Sequence, residues 1–76
     1  MNGSMGYMTL KELGQTYLDE AATLEQLIAN CKARRALAMQ AGDSVEATRQ
    51  EQLIELHKHQ RDELERIGIY LRRYYE

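Results

Sequence analysis

The chain contains no proline, and Gly42-Asp43-Ser44 is the single strong signal for a break in its secondary structure. Sheets and their turns depend on frequent glycine and proline, so a 76-residue chain with five glycines and no proline is a poor candidate for an all-β or α/β fold. A chain of this length forms one small domain at most. The sequence therefore predicts an all-α protein with one helical segment on each side of Gly42.

Thr9 and Glu12 mark the start of the first helix. A threonine at the N-cap with a glutamate three residues later forms a capping box, in which each side chain satisfies a free backbone N–H group. Apolar side chains then recur at steps of three and four, which is typical of one face of a helix. They are Leu10, Leu13, Tyr17, Ala21, Leu24, Leu27, Ile28 and Cys31. We expect a flexible leader at residues 1–8 and a helix from about residue 9 to about residue 41.

The second helix is expected after a loop at residues 42–44. Gly42 suits the left-handed conformation that ends a helix, and either Asp43 or Ser44 can cap the next one. The sequence predicts that this helix extends from about residue 45 to about residue 75. Its stripe of seam residues, with steps of four and three as in a coiled coil, reads Leu53, His57, Gln60, Leu64, Ile67, Leu71 and Tyr74.

The short loop makes the two helices antiparallel neighbours in a coiled-coil-like hairpin. Folding the chain at Gly42 brings residue i close to roughly residue 85 − i. In this register Tyr17 lies beside Gly68, and Gly14 lies beside Leu71. Large side chains then meet small ones along the seam, which favours this pairing.

More apolar side chains are present than one seam can hide. Leu27 directly precedes Ile28, and Leu56 directly precedes His57, so members of both pairs cannot all face the partner helix. Burying one leucine or isoleucine contributes about 1.5–3 kcal/mol. We therefore expect self-association, most simply of two hairpins into a four-helix bundle. The candidates for the core or the self-association surface are Leu10, Leu13, Tyr17, Leu24, Leu27, Ile28, Leu53, Leu56, Leu64, Ile67, Leu71 and Tyr74.

The sequence offers no catalytic or metal-binding pattern. His57 and His59 are two residues apart and point to different sides of a helix, so they cannot chelate one ion together. Cys31 lies on the apolar face without a nearby histidine, which is typical of a small buried side chain. We expect no enzymatic activity, no metal and no cofactor. We interpret His57 and Gln60 as polar seam residues that help to set the register.

Two basic clusters and one tyrosine are candidates for contact with a partner. They are Lys32, Arg34 and Arg35, then Arg72 and Arg73, and finally Tyr75. Arginines also lie over apolar neighbours or pair with acidic groups of a second subunit. Ten basic and twelve acidic side chains give a formal charge of −2, which argues against nucleic acid as the partner. An unknown protein partner and a second copy of the chain both remain open.

Targeting signals are absent from the sequence. The longest apolar run is residues 36–39, which is far too short to span a membrane. A single cysteine cannot form an internal disulfide, and the first residues do not resemble a signal peptide. We expect a cytoplasmic protein without a membrane segment.

The segment Met8-Thr9-Leu10-Lys11-Glu12-Leu13-Gly14-Gln15-Thr16-Tyr17, followed by an acidic helix and a second charged helix, resembles the N-terminal helical region of short proteins from Firmicutes prophages and mobile elements. Some of those proteins are similar to sigma factors and carry a helix-turn-helix after this region. The resemblance implies an accessory or regulatory role in a mobile element. We expect no such DNA-reading module within these 76 residues.

The sequence as a whole favours a non-enzymatic, self-associating module for interaction and assembly, with a homodimer as its preferred form. The alternative is a small regulator that contacts nucleic acid or the transcription machinery through Lys32, Arg34 and Arg35.

Overall fold

A computed structural model describes residues 8–74 of the chain. They form two α-helices, α1 (Leu10–Gln40) and α2 (Ser44–Tyr74), with no strand between residues 8 and 74. The helices pack side by side in a rod with principal dimensions of 58, 23 and 13 Å. This confirms the all-α helical hairpin. Residues 1–7 of the expected leader, and Tyr75, lie outside the described residues.

Helix α1 begins with the expected capping box. The backbone N–H of Glu12 donates to the Thr9 hydroxyl at 3.0 Å, and the backbone N–H of Thr9 donates to the Glu12 carboxylate at 2.8 Å. Hydrogen bonds with Thr9 hold the pKa of Glu12 below its usual value, and the bond from the Thr9 backbone has the larger effect. The carboxylate therefore stays ionised near the positive end of the helix dipole, which stabilises the helix start.

The turn between the helices consists of three residues, Ala41, Gly42 and Asp43. Gly42 has a φ angle of +73°, a conformation that glycine adopts without strain. The N–H of Gly42 donates to the carbonyl of Met39 at 3.1 Å, and the N–H of Asp43 donates to that of Ala38 at 2.8 Å. This pair of bonds is a Schellman motif, which satisfies free carbonyl groups at the end of α1.

Asp43 also caps helix α2, because its side chain accepts a hydrogen bond from the backbone N–H of Glu46 at 3.0 Å. Helix α2 therefore begins at Ser44, one residue earlier than the sequence suggested. The sequence left Asp43 and Ser44 as alternative caps, and the structure selects Asp43. Asp43 therefore forms hydrogen bonds both at the end of α1 and at the start of α2. The turn is short as a result, and the helices lie side by side and antiparallel.

The seam between the helices follows a seven-residue repeat on both sides. Buried or half-buried residues occur at alternating steps of three and four, as in a coiled coil. On α1 they are Gly14, Tyr17, Ala21, Leu24, Ile28, Cys31, Arg35 and Ala38. On α2 they are Ala47, Gln50, Ile54, His57, Arg61, Leu64, Gly68 and Leu71. The hydrophobic core of the seam is a cluster of the buried residues Ile28, Cys31 and Ile54, with the half-buried Leu53 packed against it.

The stripe expected on α2 is wrong at alternate positions. His57, Leu64 and Leu71 face α1, but Gln60, Ile67 and Tyr74 are exposed. Their places are taken by the next residue of the chain, so that Arg61 and Gly68 lie in the seam instead. At Gly68 the helices approach so closely that a small residue is needed between them, and Ile67 is displaced to the flank.

The helices approach each other closely at the open end of the hairpin, opposite the turn. A Cβ atom built on Gly14 would lie 2.8 Å from the carbonyl oxygen of Gly68 and 2.9 Å from the Arg72 side chain. One built on Gly68 would lie 2.8 Å from Leu18. The expected neighbours were Leu71 for Gly14 and Tyr17 for Gly68, so the register is correct to within about one residue while the pairing of side chains differs.

Candidate interaction surface

The hairpin has two broad faces, one on each side of the seam, and one of them carries the polar contacts between the helices. Arg72 donates to the Gln15 side chain at 3.0 Å, and Arg61 forms an ion pair with Glu25. Hydrogen bonds from Arg61 to Glu25 and then to Asp62 raise the pKa of this arginine, so it stays charged. We define the charged face by residues that directly follow a seam position: Leu18, Glu25, Lys32, Glu51, Lys58, Glu65 and Arg72.

The opposite face is richer in apolar side chains. In an antiparallel pair, the residues that directly precede a seam position lie on the same side of the seam in both helices. They form the second face of the hairpin. We define the apolar face by Leu13, Leu27, Leu53, Leu56, Ile67, Tyr70 and Tyr74. The exposed fraction is 51% for Leu56, 40% for Leu27 and 40% for Ile67. The rings of Tyr70 and Tyr74 contact each other, with centroids 6.0 Å apart and planes inclined by 54°.

A polar cluster lies beside the turn, at one end of the apolar face. Arg49 donates to both carboxylate oxygens of Glu46, at 2.8 and 3.1 Å, and Gln50 donates to one of them at 2.8 Å. The hydrogen bonds from Arg49 and Gln50, with attraction from the Arg49 and Arg34 charges, lower the pKa of Glu46 to about 2. The same carboxylate raises the pKa of Arg49. These contacts all lie within the first turns of α2 and keep the Glu46 carboxylate ionised.

The twelve candidates for the core or self-association separate into three groups by burial. Ile28 is buried in the seam cluster. Leu13, Tyr17, Leu24, Leu53, Leu64 and Leu71 are half-buried. Leu10, Leu27, Leu56, Ile67 and Tyr74 are exposed. The exposed group cannot act as core within one hairpin, and these residues remain candidates for contact between copies.

The basic cluster does not form one patch. Lys32 lies on the charged face, and Arg35 is half-buried in the seam. Arg34 directly precedes the seam residue Arg35, which places it on the side of the apolar face. At the open end, Arg72 belongs to the charged face, whereas Arg73 lines a shallow hollow on the outer side of α2 with Arg66, Ile69, Tyr70 and Tyr74. Tyr75 lies outside the described residues.

The cysteine and the two histidines, the side chains most often used in catalysis or metal binding, show no arrangement for either role within residues 8–74. Cys31 is a free cysteine buried in the seam. His57 is half-buried and its Nδ1 lies 3.3 Å from the Gln60 side-chain oxygen, while His59 is exposed. Between residues 8 and 74, no three or more His, Cys, Asp or Glu side chains are grouped so that they could hold a metal ion.

Sequence reasoning missed Gln50, which is only 1% exposed. Its Nε2 bonds to Glu46, and its Oε1 has no hydrogen-bond partner in the described part of the chain. The signal that could have found it is its position three residues after Ala47 and four before Ile54 in the seven-residue repeat. The bond to Glu46 lies within α2, so it satisfies part of the buried amide without linking the two helices.

For the described residues, neither helix combines the length and apolar character needed to cross a membrane. The chain matches no family model, no curated protein and no solved structure. The resemblance to prophage and mobile-element proteins therefore stays a prediction.

Proposed function

We propose that the protein is a non-enzymatic, self-associating helical hairpin that serves as an interaction and assembly module. The observation that carries the proposal is the exposure of Leu27 and Leu56 on the apolar face, near the middle of the hairpin. Soluble monomers seldom expose contiguous apolar patches of this kind. Burying each leucine would contribute about 1.5–3 kcal/mol, which is large for a domain of this size.

A second copy is the simplest cover for this face. Two hairpins that meet on their apolar faces form a four-helix bundle, and their charged faces stay in water. A homodimer is the form that we propose, in a cytoplasmic protein. The resemblance of residues 8–17 to prophage and mobile-element proteins supports an accessory role in such an element as the biological setting.

The proposal is tested by adding charge to the apolar face. Leu27→Glu or Leu56→Glu would bring a carboxylate into the interface twice in each dimer, so we expect both variants to elute as monomers. Ala29→Glu is the matched control, because Ala29 is exposed on α1 and lies away from the apolar face. The molar mass of each variant is measured by light scattering during size-exclusion chromatography.

We expect the wild type and Ala29→Glu to have the mass of a dimer. Circular dichroism measures how much helix the leucine variants retain, since the proposed interface would supply part of the hairpin's stability. The proposal fails if the wild type is a monomer, and it also fails if both leucine variants retain the dimer mass.

The alternative function is a regulator that contacts nucleic acid through Lys32, Arg34 and Arg35. It requires these side chains to face one ligand, and their separation onto two faces and the seam favours the assembly function. Fluorescence anisotropy with labelled duplex DNA at low salt distinguishes the two. We expect no binding, whereas binding that weakens steeply with added salt would support the regulator.

A further inference from the structure

The apolar face carries a regular order of charges on α1. Glu20, Leu27 and Arg34 are spaced seven residues apart, so they lie on one line along the helix. Each charge is about 10 Å from the leucine, on opposite sides of it along the axis. Both charged side chains are exposed, and neither forms an ion pair or hydrogen bond with another residue between positions 8 and 74.

The same order recurs on α2. Arg49, Leu56 and Glu63 are also spaced seven residues apart and exposed. Unlike the charges on α1, these two are paired within α2, Arg49 with Glu46 and Glu63 with Arg66, so the α1 charges carry most of the argument. Because α2 runs in the opposite direction, Glu63 lies at about the level of Glu20. Arg49 lies near the turn with Arg34, and both charges act on the same neighbour, the Glu46 carboxylate.

The apolar face is therefore divided into an acidic band, a leucine pair and a basic band. The acidic band is Glu20 with Glu63, the leucine pair is Leu27 with Leu56, and the basic band is Arg34 with Arg49. Two copies aligned in the same direction would place each band against the band of like charge. Two copies aligned in opposite directions would place the acidic band of each against the basic band of the other.

We infer that a second copy covers the apolar face in an antiparallel arrangement, with a two-fold axis in the interface that runs perpendicular to the helices and passes over both Leu27 and Leu56. This inference rests on the proposed self-association and specifies its geometry. Helix α1 then lies over α1 of the partner, with Glu20 of each copy facing Arg34 of the other. Leu27 meets its own counterpart at the axis, as an isologous interface requires.

The position of the leucine pair agrees with this geometry. Leu27 is two residues from the midpoint of Leu10–Gln40, and Leu56 is three residues from the midpoint of Ser44–Tyr74. A two-fold axis at this level lets the two hairpins overlap along almost their whole length. An axis near the turn would leave Leu13 and Ile67 exposed in the dimer. An axis near the open end would leave Leu53 and the turn exposed.

Reversing one charge of the α1 pair tests the arrangement. Glu20→Arg alone, or Arg34→Glu alone, puts like charges together at two symmetric places in the dimer. We expect each single variant to raise the dimer Kd about tenfold at low salt, with a smaller effect at high salt. An equimolar mixture of the two variants restores opposite charges at both places, so we expect a heterodimer with Kd near that of the wild type. The double variant Glu20→Arg/Arg34→Glu should also recover self-association.

Matched controls lie on the charged face at similar levels of the rod. Glu65→Arg and Lys32→Glu change the same charges on exposed side chains, and we expect their Kd to stay within about twofold of the wild type. Sedimentation velocity on fluorescently labelled protein gives the Kd values. Recovery in the mixture also shows that the single variants are folded.

The outcomes separate the geometry from the function. A wild type that dimerises, with weakened single variants and a restored mixture, supports the antiparallel arrangement. Single variants that bind themselves more tightly indicate a parallel pair and overturn it, as do single variants with unchanged Kd. A wild type that is monomeric at every concentration overturns both this inference and the proposed function.

Discussion

At the scale of single residues, Gly14 and Gly68 set the distance between the helix backbones. Each would place a Cβ atom within 3.0 Å of the opposite helix, and for both the obstacle includes a carbonyl oxygen, which cannot rotate away. Glycine within a helix costs about 1 kcal/mol relative to alanine. We therefore expect the close packing at the open end to contribute more than that cost.

Gly14→Ala tests the contact. The added methyl group gains about 1 kcal/mol of helix propensity but forces the backbones apart, and such overpacking costs about 1–3 kcal/mol. We expect a net loss in the free energy of unfolding, measured with urea. Ala29→Gly, at an exposed site on the same helix, calibrates the propensity contribution. A Gly14→Ala variant more stable than the wild type would show that the helices can separate there without loss.

Glu46 gives the hairpin a dependence on acid pH. Its pKa is lowered to about 2 by the hydrogen bonds from Arg49 and Gln50. A carboxylate whose pKa is lower in the folded than in the unfolded chain stabilises the fold above its unfolded value near 4.5, and this contribution is lost as the pH falls towards 2. We expect the melting temperature to fall across that range. The fall should be smaller in Glu46→Gln, and equal slopes in the two proteins would exclude this role.

At the scale of elements, the sequence was sufficient for the helices, the turn and the register. The capping box at Thr9, the left-handed Gly42 and the capping choice at Asp43 are local features, because each depends on side chains within a few residues. The α2 seam is not local. Choosing the largest apolar residues gives Ile67 and Tyr74, but a closely spaced pair of helices selects the smaller Gly68 and leaves Ile67 outside.

Arg35 and Arg61 show the second limit of sequence reasoning. Arg35 was a candidate for contact with a partner and Arg61 was not among the expected seam residues, yet both are half-buried in seam positions. Long side chains can place their methylene groups along an apolar seam while the charged end reaches water, and Arg61 does so towards Glu25 and Asp62. Which face remains apolar depends on these placements, and so the division into two faces was accessible only from the structure.

Because Asp43 and not Ser44 caps α2, we expect alanine substitutions at these two positions to change the free energy of unfolding by different amounts. Asp43→Ala removes the cap of α2, so we expect a loss of about 1 kcal/mol in the free energy of unfolding. Ser44→Ala should cost little, since Ser44 is an exposed residue of the first helical turn. Thermal unfolding by circular dichroism compares the two variants. An equal or larger loss in Ser44→Ala would assign the cap to Ser44.

At the scale of the whole molecule, the hairpin is a rod only 13 Å thick in its smallest dimension. Its two helices bury one seam, and within residues 8–74 there is no third element to cover the flanks. The exposed leucines therefore lie on the side where a second layer of helices would complete a bundle. In the dimer that we propose, folding and association would be coupled, because the interface would supply part of the core.

Sedimentation equilibrium of the wild-type chain, from high nanomolar to high micromolar concentration, tests this coupling most directly. We expect a mass of about twice the 8.8 kDa chain at high concentration, which declines on dilution together with the helical signal. A chain that stays at 8.8 kDa throughout, and remains fully helical, would contradict self-association through the apolar face.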